Sequence, residues 1–286
     1  MRMLAGLIML LPVAVLAESL RQIDYYDVWP NQYGKYGVTP IFGPVTVDGL
    51  QTLTLILKQH SRHGVLASIT LFDLDETLLA GDSDYLWGQH LVEKGAVDGA
   101  YYEATNRAFY EQYKQGTLDI YEFARFAFKP LSEFPLHTLK AWRQEFVEHK
   151  IKPIMTRKGL DYIEQHRQAG DTIVIITSTN QFITEPIAEL YGVDKLLATL
   201  PEMVAGQYTG ELAVPCFSKH KIDRLNDWCQ STQQSLQDSV AYSDSRNDIP
   251  LLSVATTAYA VDPDDTLRAH AEQQQWPILS FRDGCN

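Results

Sequence analysis

The stretch SITLFDLDETLLAGDSD, residues 68–84, decides how the rest of this chain is read. Four apolar or β-branched residues, Ile69 to Phe72, predict a short strand buried on both faces. The run stops abruptly on Asp73, and a second carboxylate, Asp75, follows two positions later. A buried strand that carries two carboxylates at its tip holds charge where burial penalises it, and that asks for a chemical reason.

Outward from this stretch, strand-like runs recur at TIVIIT (172–177), KLLATL (195–200), SVAYSD (239–244) and TAYAV (257–261). Helical periodicity between them predicts helices over 160–168, 183–191, 221–229 and 250–255. Near-continuous apolar strands alternating with amphipathic helices predict an α/β fold, a parallel sheet covered by helices on both faces. Residues 84–157 break the alternation with several helical stretches, such as AYYEATNRAFYEQYKQG, and no good strand. That interval is too long for one crossover. It predicts an inserted all-helical cap, leaving a discontinuous core of residues 66–83 and 158–282. The segment EMVAGQYTGELAVPCF (202–217), with Gly206 and Gly210, predicts a β-hairpin.

The N-terminal quarter reads differently. Residues 1–17 join Arg2 to an apolar run ending Val15-Leu16-Ala17, shorter than a spanning helix needs and similar to a secretion signal. On that reading the protein works in the periplasm or outside the cell. If the working chain starts instead near Val65, it works in the cytoplasm. Residues 18–64, rich in Tyr, Gly, Pro and Gln, predict an irregular arm with a short helix around 50–60.

The 286 residues carry a formal net charge of −12, with 45% hydrophobic and 21% charged residues. An acidic globular protein of this kind is a poor partner for nucleic acid or an anionic membrane surface. A small anionic substrate remains admissible where a bound cation reverses the local field. Cys216, Cys229 and Cys285 form neither a disulfide framework nor a CxxC metal pair. The sequence gives no sign of oligomeric state.

Ligands of parallel α/β sheets gather at the carboxyl ends of the strands. There the sequence places Asp73 and Asp75, then Thr177-Ser178-Thr179-Asn180, then Asp244 with Ser245, Arg246, Asn247 and Asp248 behind it. Lys221 opens a helix after the hairpin. Carboxylates so crowded raise one another's pKa values unless a cation compensates. Mg²⁺ is the usual hard cation where phosphate is the co-ligand.

DLDET, IITST, Lys221 and SDSRND, in that order, resemble the four motifs of the haloacid dehalogenase superfamily of phosphohydrolases. The helical insert after the first motif resembles the phosphoserine-phosphatase-like branch. Longer matches such as DLDETLLAGDSD and YSDSRNDIPLL resemble its bacterial histidinol-phosphatase-like members, over about residues 66–282. The resemblance implies a Rossmann-like core and a Mg²⁺-dependent phosphomonoesterase acting on a small phosphorylated metabolite through an aspartyl-phosphate.

On that implication Asp73 is the nucleophile and Asp75 the general acid and base. Thr177 binds the phosphoryl group and Lys221 neutralises it. The metal would be held by Asp73, Asp244 and the backbone carbonyl of Asp75, with Asp248 in its first or second shell. The family commonly has Gly before its lysine where this chain has His220, so Lys219 competes with Lys221 for the role. Asp82, nine residues past the nucleophile, stands where relatives place an acidic substrate contact. Ser178, Asn180 and Arg125 join it as substrate-binding candidates, with Arg107 behind them. The aromatic residues around 101–128 read as packing.

Two further activities share this pattern. A phosphotransferase or mutase would have the same core, and an exported binding protein could carry a vestigial site. A response-regulator receiver domain is a third rival that also uses an Asp on a parallel sheet, but its acidic pair and phosphoacceptor lie on different strands and it has no such insert.

Overall fold

The computed structural model describes residues 26–30, 36–40 and 68–282. Residues 1–65 and 66–286 form two separate compact units. In the first, strands β1 (Tyr26–Pro30) and β2 (Tyr36–Pro40) pair antiparallel in register Val28↔Val38. The arm expected to be irregular therefore contains a two-stranded sheet. Its sequence lacks the alternation that announces a strand, and backbone pairing alone defines these two. The signal-like residues 1–17 and the short helix expected around 50–60 lie outside the described residues.

The second unit is built on a seven-stranded sheet. Its strands are β3 (Ile69–Phe72), β4 (Thr172–Asn180), β5 (Lys195–Val204), β6 (Gln207–Val214), β7 (Val240–Ser243), β8 (Thr257–Val261) and β9 (Ile278–Leu279). Their spatial order is β6-β5-β4-β3-β7-β8-β9, parallel throughout except for the β5–β6 hairpin. The α/β fold read from the sequence is present. The hairpin is also there, but β5 runs unbroken from 195 to 204, so its first strand continues a sheet strand rather than following one. It turns on Ala205 and Gly206, both at positive φ (50° and 81°), the backbone that two-residue hairpin turns require.

Between β3 and β4 lie α1 (Ser83–Glu93), α2 (Gly99–Gln115), α3 (Ile120–Glu133) and α4 (Leu136–Phe146). The first three each open on an aspartate, Asp82, Asp98 or Asp119, whose carboxylate accepts an amide of the first turn. The other helices are α5 (Arg157–Gln168), α6 (Gln181–Tyr191), α7 (Lys219–Thr232), α8 (Ile249–Val254) and α9 (Asp265–Gln274).

The alternation along β3 explains the layers. Ile69 and Leu71 face a cluster with Leu225, Leu252 and Leu267 from α7, α8 and α9. Phe72 faces the other cluster, with Ile163 and Phe182 from α5 and α6 and with Trp87, Ala124 and Phe146 from the insert. The Trp87 ring packs edge-on against Phe146 and Phe182, with centroids 5.3 and 5.8 Å away. The insert thus shares one apolar core with the sheet.

β3 is flanked by β4 on one side and β7 on the other. The chain moves outward from β3 through β4 to β6, then crosses back to β7. That reversal is where ligand crevices form in open α/β sheets.

Candidate active site

Past Phe72 the backbone leaves the sheet but stays anchored, with the Asp73 amide donating to the Tyr242 carbonyl at 2.9 Å. Residues 74–78 make a wide turn closed by the Leu79 amide on the Leu74 carbonyl, 3.0 Å. Inside it Asp75 is extended and Glu76 sits at φ 56°, ψ −5°. The turn carries Asp73, Asp75 and Thr77 toward three separate sets of partners.

Asp73 is 5% exposed, and its Oδ1 accepts from Lys221 Nζ at 2.9 Å. Its Oδ2 has no hydrogen-bond donor among the described residues. Lys221 is 2% exposed and donates also to Asp248 Oδ2 at 2.6 Å, where Ser243 Oγ donates at 2.8 Å. Lys219 is exposed. The choice between the two lysines therefore falls on Lys221, on the face of α7 turned to the sheet. His220, where the family commonly has Gly, lies in the first turn of α7. Asp248, expected from sequence near the metal, accepts from Lys221 and Ser243 at Oδ2.

Electrostatics follow from burial. Burial pushes Asp73 up to about 7 against the pull of the Lys221 ammonium. Burial alone would lower Lys221, but the carboxylates of Asp248 and Asp73 hold it well above the usual lysine range. Asp244 is raised well above the carboxylate range by burial and then by the charge of Asp73. Its Oδ1 accepts from Thr77 Oγ1 at 2.8 Å, and it has no cationic partner among the described residues.

Among those residues, no three acidic, His or Cys side chains converge as a metal cage. The donor set nonetheless fits Mg²⁺, which takes one or two carboxylates and completes its shell with other oxygens. Asp73 and Asp248 share one ammonium and Asp244 has none, so a cation beside Asp73 and Asp244 would offset charge that burial penalises.

Asp75 accepts from Ser83 N at 2.6 Å, Thr179 Oγ1 at 2.8 Å and Thr177 Oγ1 at 3.4 Å. Thr179, which the sequence reading passed over, is the closer of the two threonines. Strand alternation places residues 177 and 179 on one face, and that signal would have found it.

A cavity opens beside Asp75, lined by Asp82, Asp84, Ser178, Asn106 and a wall of aromatic rings. The rings, Tyr85, Phe109, Tyr110, Tyr113, Phe123 and Phe217, include aromatics read from sequence as packing alone. Among the described residues, no Lys, Arg or His lines it.

Asp82 lies here as expected, though its carboxylate also caps α1 at Tyr85 N, 2.9 Å. Asp84 was not anticipated. Its pKa is pushed up to about 7, by burial first and then by the charge of Asp75. Asn106, 6% exposed, lines the cavity with no hydrogen-bond partner among the described residues. Tyr113 Oη donates to Ser245 Oγ at 3.1 Å, joining α2 to the loop after β7.

Two substrate-binding expectations change. Asn180 is spent within the protein: its Oδ1 caps α6 at Ile183 N, and its Nδ2 lies 3.5 Å from Asp84. Arg125 is exposed on α3 and is not among the residues lining the cavity, and Arg107 lines a separate hollow beyond Tyr85 and Tyr110. Cys216 and Cys229 are buried free thiols, and burial pushes Cys216 up to about 12.

The family of haloacid dehalogenase-like hydrolases matches residues 70–253. Over 222 residues the chain is 37% identical to a histidinol-phosphatase of Neisseria meningitidis, covering 76% of this chain and all of that protein. A crystal structure of a Bordetella pertussis protein of unknown function is similar at TM-score 0.72 and 37% identity, over 76% of this chain and all of that one. A substrate-bound phosphoserine phosphatase shares the fold at TM-score 0.57 and 18% identity, over 74% and 92% of the two chains.

Proposed function

The chain belongs to the haloacid dehalogenase-like hydrolase family, as a phosphatase, and from that premise we propose that it hydrolyses a small alkyl phosphomonoester through an aspartyl-phosphate on Asp73. The observation that carries this reading is the buried cluster of Asp73, Lys221 and Asp248 set beside Asp244 and Asp75.

Asp73 Oδ2, free of hydrogen bonds among the described residues, attacks phosphorus as the P–O bond to the alcohol breaks. Asp75 gives its proton to the departing oxygen. Water then attacks the aspartyl-phosphate as Asp75 takes a proton back, releasing inorganic phosphate and restoring Asp73. Lys221 keeps the Asp73 carboxylate ionised and faces the charge that accumulates on the phosphoryl oxygens. A Mg²⁺ held by Asp73, Asp244 and the Asp75 carbonyl would neutralise further charge there. The helices α1–α4 act as a cap that limits access to small substrates and excludes bulk water.

The cavity's charge selects among small substrates. Asp82 and Asp84 supply negative charge, Asn106 a free amide and the rings an apolar wall. Lys114 and Arg246 stand in the adjoining hollow beside Asp244, while the cavity next to Asp75 offers acids and rings to an amine or imidazolium on the leaving alcohol. Histidinol phosphate, the substrate type named by the Neisseria relative, meets that preference.

The test is inorganic phosphate release from a panel of metabolites, with and without Mg²⁺, by wild type and Asp73→Asn. Expected is Mg²⁺-dependent release that is fastest on amino-alcohol phosphates and lost by more than about 10³-fold in the variant. Equal release by both proteins on every substrate rejects the assignment.

A further inference from the structure

The turn that carries Asp75 is held from the far end of the described chain. Arg282 donates from Nη2 to the Glu76 carbonyl at 2.7 Å and to Glu76 Oε2 at 2.8 Å, and from Nη1 to the Leu79 carbonyl at 3.2 Å. One planar guanidinium thus closes on three acceptors of a single turn, a geometry an ammonium cannot reproduce.

The clamp is itself fixed. Phe281, 1% exposed, packs against Tyr162 with ring centroids 4.9 Å apart, and its amide donates to Asp262 Oδ2 at 2.8 Å. Lys158 Nζ holds the carbonyls of Ser280 and Arg282 at 3.3 and 3.2 Å.

Glu76 needs such support. Its φ of 56° is a left-handed conformation that a residue with a Cβ adopts at a cost, and such residues persist where their surroundings over-determine them. Its two neighbours show what the conformation achieves. Asp75 points to Thr179 and Ser83, while Thr77 bridges Asp244, donating to Oδ1 at 2.8 Å and accepting from the Asp244 amide at 3.0 Å. The angle between the proton-transferring carboxylate and the hydroxyl holding Asp244 is set at the one residue between them. Arg282 grips that residue by both its backbone and its side chain.

We infer that Arg282 is a positioning residue for proton transfer: by holding Glu76 left-handed, it aims the Asp75 carboxyl at the leaving-group oxygen. The inference rests on the assignment of Asp75 as proton donor made above. It predicts a loss that depends on how much the leaving group needs the proton. An alkoxide needs it most, a phenolate less, and 4-nitrophenolate least.

The test compares kcat/KM of wild type, Arg282→Met and Arg282→Lys on histidinol phosphate, phenyl phosphate and 4-nitrophenyl phosphate. General acid catalysis is worth about 10²–10⁴-fold, and a misaimed acid forfeits part of it. Expected losses are about 10- to 100-fold on the alkyl ester, smaller on phenyl phosphate, and under about 3-fold on 4-nitrophenyl phosphate. Arg282→Lys keeps the charge without the three-point clamp and should show the same gradient, so it carries the test if Arg282→Met fails to fold. Losses equal across the substrates, or none, overturn the inference and leave the phosphatase reading standing. If wild type cleaves none of the three, the phosphatase reading itself fails.

Discussion

Asp84→Asn should make the ligand-free protein more stable at pH 8 while making it a worse enzyme on cationic substrates. Asp84 lines the cavity, and its one side-chain partner, Asn180 Nδ2, lies at 3.5 Å. Its carboxyl is raised from 3.8 to about 7 in the folded protein. A carboxylate whose folded pKa is raised binds its proton more tightly in the native state. Its penalty is therefore absent below about pH 4, grows as pH rises from about 4 to about 7, and is complete above that. At ~1.36 kcal/mol per pH unit the full difference is about 4 kcal/mol. Asp84 is only half-buried and its cavity admits water, so about 1–2 kcal/mol is the expected effect. In a domain of this size that raises Tm by about 2–8 °C at pH 8, with a smaller gain at pH 5. The same charge pairs with a cationic leaving group, and losing it costs about 1.4–2 kcal/mol, or about 10- to 30-fold in kcat/KM on histidinol phosphate. 4-Nitrophenyl phosphate, whose leaving group carries no cation, should change less than about 2-fold. Differential scanning fluorimetry at the two pH values and a phosphate-release assay read both arms. A variant less stable than wild type at pH 8, or equally impaired on both substrates, would refute the reasoning.

Other perturbations separate the remaining parts of the site. Lys221→Met strands Asp73 and Asp248 without their shared cation and should cost about 3–5 kcal/mol in urea unfolding at neutral pH. Mg²⁺ should raise Tm in wild type, by about 2.7 kcal/mol of stabilisation at 100 times its Kd, and leave Asp244→Asn unmoved, as thermal melts with and without EDTA would show. Gly88→Ala should destabilise although Ala favours helix. A Cβ at that position of α1 would stand 2.7 Å from the Tyr102 ring and 2.9 Å from Asn106 Nδ2, so overpacking of about 1–3 kcal/mol is expected in chemical denaturation.

How much of this was legible in the sequence depended on distance along the chain. Ile69–Phe72 and Ile173–Ile176 announce their strands because each buries both faces, and that leaves a short continuous apolar run. The tip residues Asp73, Thr177 and Asp244 follow from where those runs stop. By contrast, α9 and β9 were not anticipated. α9 (265–274) places two buried apolar residues, Leu267 and Ala271, among polar ones, and the two residues of β9 are only half-buried. Strand β9 is defined by its pairing with β8.

The site shows the same limit more sharply. GDSD carries two aspartates at the start of a helix, and nothing local says which one caps it. The structure gives that duty to Asp82 and turns Asp84 toward the cavity, a division that depends on the first turn of α1 and on Asn180 nearly a hundred residues away. Arg282 goes further, since 206 residues separate it from Glu76 and no period or motif links them. A local pattern reports which side chains share a face. It is silent about which distant donor will fix a strained turn, and here that donor governs how the leaving group receives its proton.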